Sequence, residues 1–101
     1  MQKTKLRVAA VQAISTEDPA KNAHHMERFF KQAKKKKVEV ICFPEGYLSF
    51  YDLTKLDNPK PQYAGAIRDA IQKARDLASQ YEMWTVVGTL LPGSTKWRNV
   101  A

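Results

Sequence analysis

Few residues in this 101-residue chain are both chemically capable and placed where chemistry could be done. Glu45 is the clearest of them. It directly follows an apolar run, Val40-Ile41-Cys42-Phe43-Pro44, and opens an aromatic segment, so its carboxylate is expected in a partly dry pocket. Desolvation raises a carboxyl pKa towards the range useful for proton transfer. A surface glutamate at a strand end explains the same position, and position alone leaves both readings open. Cys42 invites a nucleophile reading. Strand alternation places it beside Ile41 and Phe43 in a buried element, where a thiol stays protonated, so a small core residue is expected. His24 and His25 are neighbours on a helix and point apart, and His24 with Arg28 is no ligand pair, so solvated histidines and no metal are expected. The segment from Gln12 to Asp18 holds no glycine, which excludes a dinucleotide fingerprint or a phosphate loop there. Met26, Phe29 and Phe30 read as packing, not a cofactor box.

The elements that must position Glu45 follow from periodicity and punctuation. Residues 6–12 form a short, nearly continuous apolar run, as in a parallel strand covered on both faces. Asp18-Pro19 is a helix start, with Asp as N-cap and Pro at the first helical position. Ala23, Met26, Phe30 and Ala33 then recur at helical spacing, which predicts a helix from about residue 19 to 36. Residues 38–43 read as a second strand, stopped by Pro44. Residues 46–63 form a long aromatic loop, of a length more often functional than not. A second helix follows, with Ile67, Ala70, Ile71, Ala74, Leu77, Ala78 and Tyr81 on its apolar face. Residues 83–91 predict a third strand, Pro92-Gly93-Ser94 a turn, and residues 96–101 a fourth strand antiparallel to the third. The order strand, helix, strand, helix, strand, strand implies an α/β domain over residues 1–101. Its right-handed crossovers give three parallel strands with a hairpin added, a mixed sheet. In such sheets ligands sit beyond the carboxyl ends of the strands. Gln12, Ala13, Pro44-Glu45-Gly46 and Thr89 fall there, and only Glu45 among them ionises.

Composition bounds the partners. The chain is 44% hydrophobic and 27% charged, ordinary for a folded domain. Its 17 Lys and Arg against 10 Asp and Glu give a net charge of +7. The excess gathers in Lys34-Lys35-Lys36-Lys37, which closes a helix where cations complement the dipole. No aromatic residues interleave with that run as a base-stacking surface requires, so a solvated face is preferred over nucleic acid binding. No apolar run approaches the roughly 18 residues that span a bilayer. The single cysteine forms no internal disulfide, and a cytoplasmic protein is expected.

Two helices packed on one face of an apolar sheet leave the other face bare, and the sequence stops inside a predicted strand. The expected cover is a further stretch of the same protein, which makes the chain read as a truncated domain.

These pieces together resemble the nitrilase superfamily of carbon–nitrogen hydrolases. Lys5-Leu6-Arg7-Val8-Ala9-Ala10-Val11-Gln12 is similar to its opening strand, and Asn22 sits where the family often has asparagine. Val40-Ile41-Cys42-Phe43-Pro44-Glu45-Gly46-Tyr47-Leu48 looks like its "FPE" segment. Val86-Val87-Gly88-Thr89 and Arg98-Asn99-Val100-Ala101 are similar to the next strand and the "NxA" strand. The resemblance implies the N-terminal part of an α-β-β-α sandwich, with two sheets face to face. It also implies hydrolysis of an amide, carbamoyl-amine or nitrile by a Glu-Lys-Cys triad without metal or other cofactor. Only the glutamate carries over, onto Glu45. Neither Cys42 nor any lysine occupies a matching motif, so this chain alone is expected to be inactive. The loop from Gly46, Tyr47 included, is expected to line the substrate pocket. A small-molecule amide or nitrile substrate and a homo-oligomer are implied, with no nucleic acid and no membrane. A non-catalytic α/β interaction or dimerisation module, and a basic nucleic-acid-binding domain, are the competing readings.

Overall fold

The computed structural model describes residues 5–49, 61–92 and 97–100. Strand β1 (Val8–Ala10) leads to helix α1 (Pro19–Lys35), β2 (Val40–Cys42), α2 (Pro61–Gln80) and β3 (Trp84–Val86), and then to the hairpin β4 (Thr89–Pro92) and β5 (Trp97–Val100). The first three strands form a parallel sheet in the order β1-β2-β3, with Val8, Val40 and Trp84 in register and Ala10, Cys42 and Val86 two residues on.

Helix α1 starts as its sequence dictates. The Asp18 side chain accepts from the amides of Ala20 (3.0 Å) and Lys21 (3.4 Å), and Pro19 follows at the first position. Both helices end alike. Lys37 (φ 58°) and Glu82 (φ 50°) adopt the left-handed conformation, and the next amides, of Val38 and Met83, reach back to Ala33 O (3.1 Å) and Ala78 O (3.0 Å). This is the Schellman closure, with non-glycine residues at the left-handed position. Part of the lysine run serves it, since Lys34 Nζ donates to Tyr81 O at 3.0 Å and Arg7 donates to Lys36 O at 3.1 Å. Helix α2 begins at Pro61, inside the segment expected to be loop up to residue 63, because a proline at the first turn lacks only an amide that has no helical partner.

The helices pack on each other and share one face of the sheet. Ala23, Met26, Phe30 and Ala33 of α1, and Ala70, Ala74 and Leu77 of α2, are buried with Ile41, Phe43, Leu48 and Met83. Phe30 is their centre: its ring lies 5.7 Å from that of Tyr81 and 5.8 Å from that of Phe43.

The bare face expected from two helices on one side of the sheet is present: exposure alternates along β1 and β3, and Val8 (56%), Trp84 (77%) and Val86 (47%) stand open. Two other expectations are corrected by this arrangement. Cys42 shares that face and is half-buried instead of enclosed in the core. The reason is that only alternate residues reach the helices, as the pleat requires. Second, residues 83–91 do not form one strand. The run breaks at Val87-Gly88, and β4 pairs antiparallel with β5 in a separate two-stranded sheet, so one mixed sheet is not what forms. The turn at residues 93–96 and the loop at residues 50–60 lie outside the described residues.

Candidate active site

Beyond the carboxyl end of β2 the chain turns sharply. Tyr47 N donates to Pro44 O (3.2 Å), which makes Pro44-Glu45-Gly46-Tyr47 a four-residue turn with Glu45 at its outer corner. Gly46 has φ 64°, as the third position of a type II turn demands, and that region disfavours any residue with a Cβ.

Three segments grip the exit of this turn. From the β1–α1 loop, Ser15 Oγ donates to Tyr47 O at 2.6 Å. From α1, Asn22 Nδ2 donates to Leu48 O (3.0 Å) and Thr16 O (2.8 Å), while its Oδ1 accepts from Thr16 N (2.7 Å) and Thr16 Oγ1 (2.8 Å). From the end of β3, Gly88 O accepts from Leu48 N at 3.1 Å, and next to it Ser49 and Thr89 share a hydroxyl bond of 3.0 Å. Asn22 is fully buried, which is affordable because both ends of its amide are used.

The structure therefore brings together the carboxyl ends of the strands, where Glu45 was expected. It departs from expectation on solvation: Glu45 is exposed and not in a dry pocket. The described residues support the turn from the helix side and from Gly88, and the corner of a turn projects away from its support. Tyr47 is placed differently too. It is 1% exposed, with its ring 5.1 Å from Phe43, so it packs in the core beneath the turn instead of lining an open wall. Burial raises the Tyr47 phenol above its usual value, and Arg28 partly offsets this. Gln12 is exposed, Ala13 is half-buried and Thr89 is buried.

Ser15, Ser49 and the close packing of Gly88 carry no signal in the sequence alone. Asn22 and Gly88 draw notice only through the family resemblance. His24 and His25 lie on the outer side of α1 with ring centroids 6.3 Å apart, and no group of three or more possible metal ligands occurs among the described residues. No helix among those residues is long and apolar enough to cross a membrane. A groove of about 840 Å³ lined by Ile71, Arg75, Ala78, Trp84 and Val87 follows the outer edge of β3 and does not include Glu45.

A search of curated proteins returns no significant match. The family model for carbon-nitrogen hydrolases, by contrast, matches residues 7–98, a stretch that takes in β1, the Asn22 network, the Glu45 turn and Gly88. With nearly the whole chain matched in that order, it belongs to the carbon–nitrogen hydrolase family.

Proposed function

We propose that Glu45 is the proton carrier of a Glu-Lys-Cys hydrolase acting on an amide, a carbamoyl-amine or a nitrile. Glu45 takes the proton of a cysteine thiol, and the thiolate attacks the substrate carbon. The lysine stabilises charge on the tetrahedral intermediate, and Glu45 returns the proton to the departing amine or ammonia. With an amide or carbamoyl-amine the thioester (or its carbamoyl counterpart) is left directly; with a nitrile the thiolate adds to give a thioimidate, which takes up one water before ammonia departs and the thioester forms. Glu45 then deprotonates water, which adds to the thioester carbon and releases the acid and, with the proton returned, the thiol. The observation that carries this reading is the position of Glu45, at the corner of a turn seated over the end of β3.

Cys42 is not the nucleophile in this scheme. It sits at the last register position of β2, on the sheet face turned away from the helices, while Glu45 belongs to the turn beyond it. The lysine and the reacting cysteine come from residues outside this chain, within an α-β-β-α sandwich whose second sheet packs on the open face. Sheets pack about 10 Å apart, with apolar side chains interlocking between them, and Val8, Trp84 and Val86 supply such a surface. A thiol nucleophile must stay reduced, which suits the cytoplasm. A homo-oligomer is part of the same reading.

The decisive variant is Glu45→Gln in the complete protein that contains these residues. A fall in kcat of about 10³-fold with an unchanged melting temperature is expected; retention of most of the activity overturns the role of Glu45. Residues 1–101 alone should show no amide hydrolysis, and a rate abolished by Glu45→Gln in that chain would overturn the triad scheme. The competing reading, a non-catalytic module that dimerises, is favoured by one observation, the same open apolar face. It predicts a stable dimer of the complete protein with no hydrolase activity.

A further inference from the structure

The turn that carries Glu45 packs directly against Gly88. A Cβ built on Gly88 would lie 2.6 Å from Gly46 N, 3.0 Å from Glu45 Cα and 3.2 Å from Glu45 C. All three are backbone atoms, so no rotamer change relieves the clash and the turn itself would have to lift. The other described glycines show no such pressure: at Gly46 and Gly65 a Cβ would meet nothing within 4 Å. Gly88 is thus glycine for closeness, and its carbonyl at the same time ties down Leu48 N at 3.1 Å. The opposite side of the turn is held by Ser15, whose hydroxyl donates to Tyr47 O at 2.6 Å and accepts from Asn22 Nδ2 at 3.2 Å.

We propose that Gly88 and Ser15 are positioning residues for the Glu45 carboxylate, a clamp in which the end of β3 and the β1–α1 loop close on the turn from two sides. This rests on the reading of Glu45 as the proton carrier. The clamp contributes nothing to substrate binding directly. A displacement of the turn by about 1 Å therefore lowers the rate of proton transfer, by about 10²-fold, and leaves substrate affinity alone.

The test is a kinetic and spectroscopic comparison of Gly88→Ala with Gly65→Ala and Glu45→Gln in the complete protein. Gly88→Ala is expected to lower kcat about 100-fold, with KM within about threefold of the parent value. The backbone amide resonances of Glu45 and Gly46 should shift while those of α1 stay put. Gly65→Ala should change neither kcat nor those resonances. A folded Gly88→Ala protein that keeps kcat within about threefold, or loses activity through KM alone, overturns the clamp. Should Gly88→Ala not fold, Ser15→Ala decides. It should lower kcat about tenfold with KM and melting temperature close to the parent values, and an unchanged kcat overturns the proposal. Full activity of Glu45→Gln overturns the proton-carrier reading and the clamp with it. An inactive Glu45→Gln beside a fully active Gly88→Ala overturns the clamp alone.

Discussion

The two faces of the parallel sheet are built from the same kinds of residue and meet opposite fates. On the helix side, Ile41 is fully buried and Ala9 packs against the same cluster, beneath Phe30, Met26 and Leu77. On the other side, Val8 and Trp84 flank Val40, and Ala10 and Val86 flank Cys42, with Trp84 77% exposed. The difference teaches what holds Glu45. Ser15, Asn22 and Gly88 reach its turn from the covered side and from the end of β3, where polar groups are matched as closely as apolar ones are packed. The open side supplies apolar area. Burial near about 25 cal/mol per Å² is available there to whatever covers it, and is unused until then.

The largest effect that can break this comparison is a pair of substitutions, one on each side. Phe30 is fully buried between Phe43 and Tyr81, and Phe30→Ala removes a ring that no neighbour can replace. A loss of about 3–5 kcal/mol is expected by chemical denaturation. Trp84→Lys on the open face should change the stability of residues 1–101 by less than about 0.5 kcal/mol and should reduce their self-association in sedimentation. Where a second sheet covers this face, as the proposed sandwich requires, the same Trp84→Lys should be strongly destabilising, because it would bury a lysine in the seam between sheets. Equal effects of Trp84→Lys in both contexts would show that the open face is an ordinary surface.

Much of this was legible from sequence, for reasons local to each element. Asp18-Pro19 announces α1 because capping is settled by adjacent residues, and the spacing of Ala23, Met26, Phe30 and Ala33 names its buried side. Glu45 is placed at a strand end because Pro44 stops the strand. The open face was foreseeable too, since two right-handed crossovers in sequence order put both helices on one side. What could not be read depends on contacts between distant segments. The break at Val87-Gly88 falls where the Glu45 turn packs against Gly88, and nothing near residue 88 in the sequence records that contact. Tyr47 looks like a pocket residue in an aromatic loop, yet it folds under the turn against Phe43. The exposure of Glu45 and the half-burial of Cys42 follow from which face is covered, a property of the assembled sheet and not of either residue.

A smaller effect sharpens the comparison through pH. Burial raises the Tyr47 phenol above its unfolded value of 10.0, with Arg28 opposing. The folded state therefore favours the neutral phenol. Its contribution to stability is complete below about pH 10 and is lost as pH rises through the folded value. Denaturation midpoints should fall on raising the pH above about 10, and Tyr47→Phe should flatten that alkaline limb while leaving the neutral midpoint close to the parent value. An identical alkaline limb in Tyr47→Phe would mean that burial does not hold the phenol in its neutral form.

The smallest effect tests how the two faces are told apart at all. A strand that slips by one residue exchanges its inner and outer side chains, so the phase of β2 and β3 must be fixed where each strand begins. Lys37 and Glu82 stand just before those starts: their left-handed conformations end α1 and α2, and Val38 and Met83, which follow them, pack against the core. A side chain in that conformation costs roughly 1–2 kcal/mol, whereas glycine adopts it freely but loses about 0.5–1 kcal/mol through the flexibility of the unfolded chain. Lys37→Gly should therefore raise stability by about 0.5 kcal/mol. The exposure of Trp84, read by its fluorescence maximum, should not change, because the turn keeps its shape. A loss of stability in Lys37→Gly would mean that the lysine side chain, and not the backbone conformation it tolerates, sets the phase of the strand that leads to Glu45.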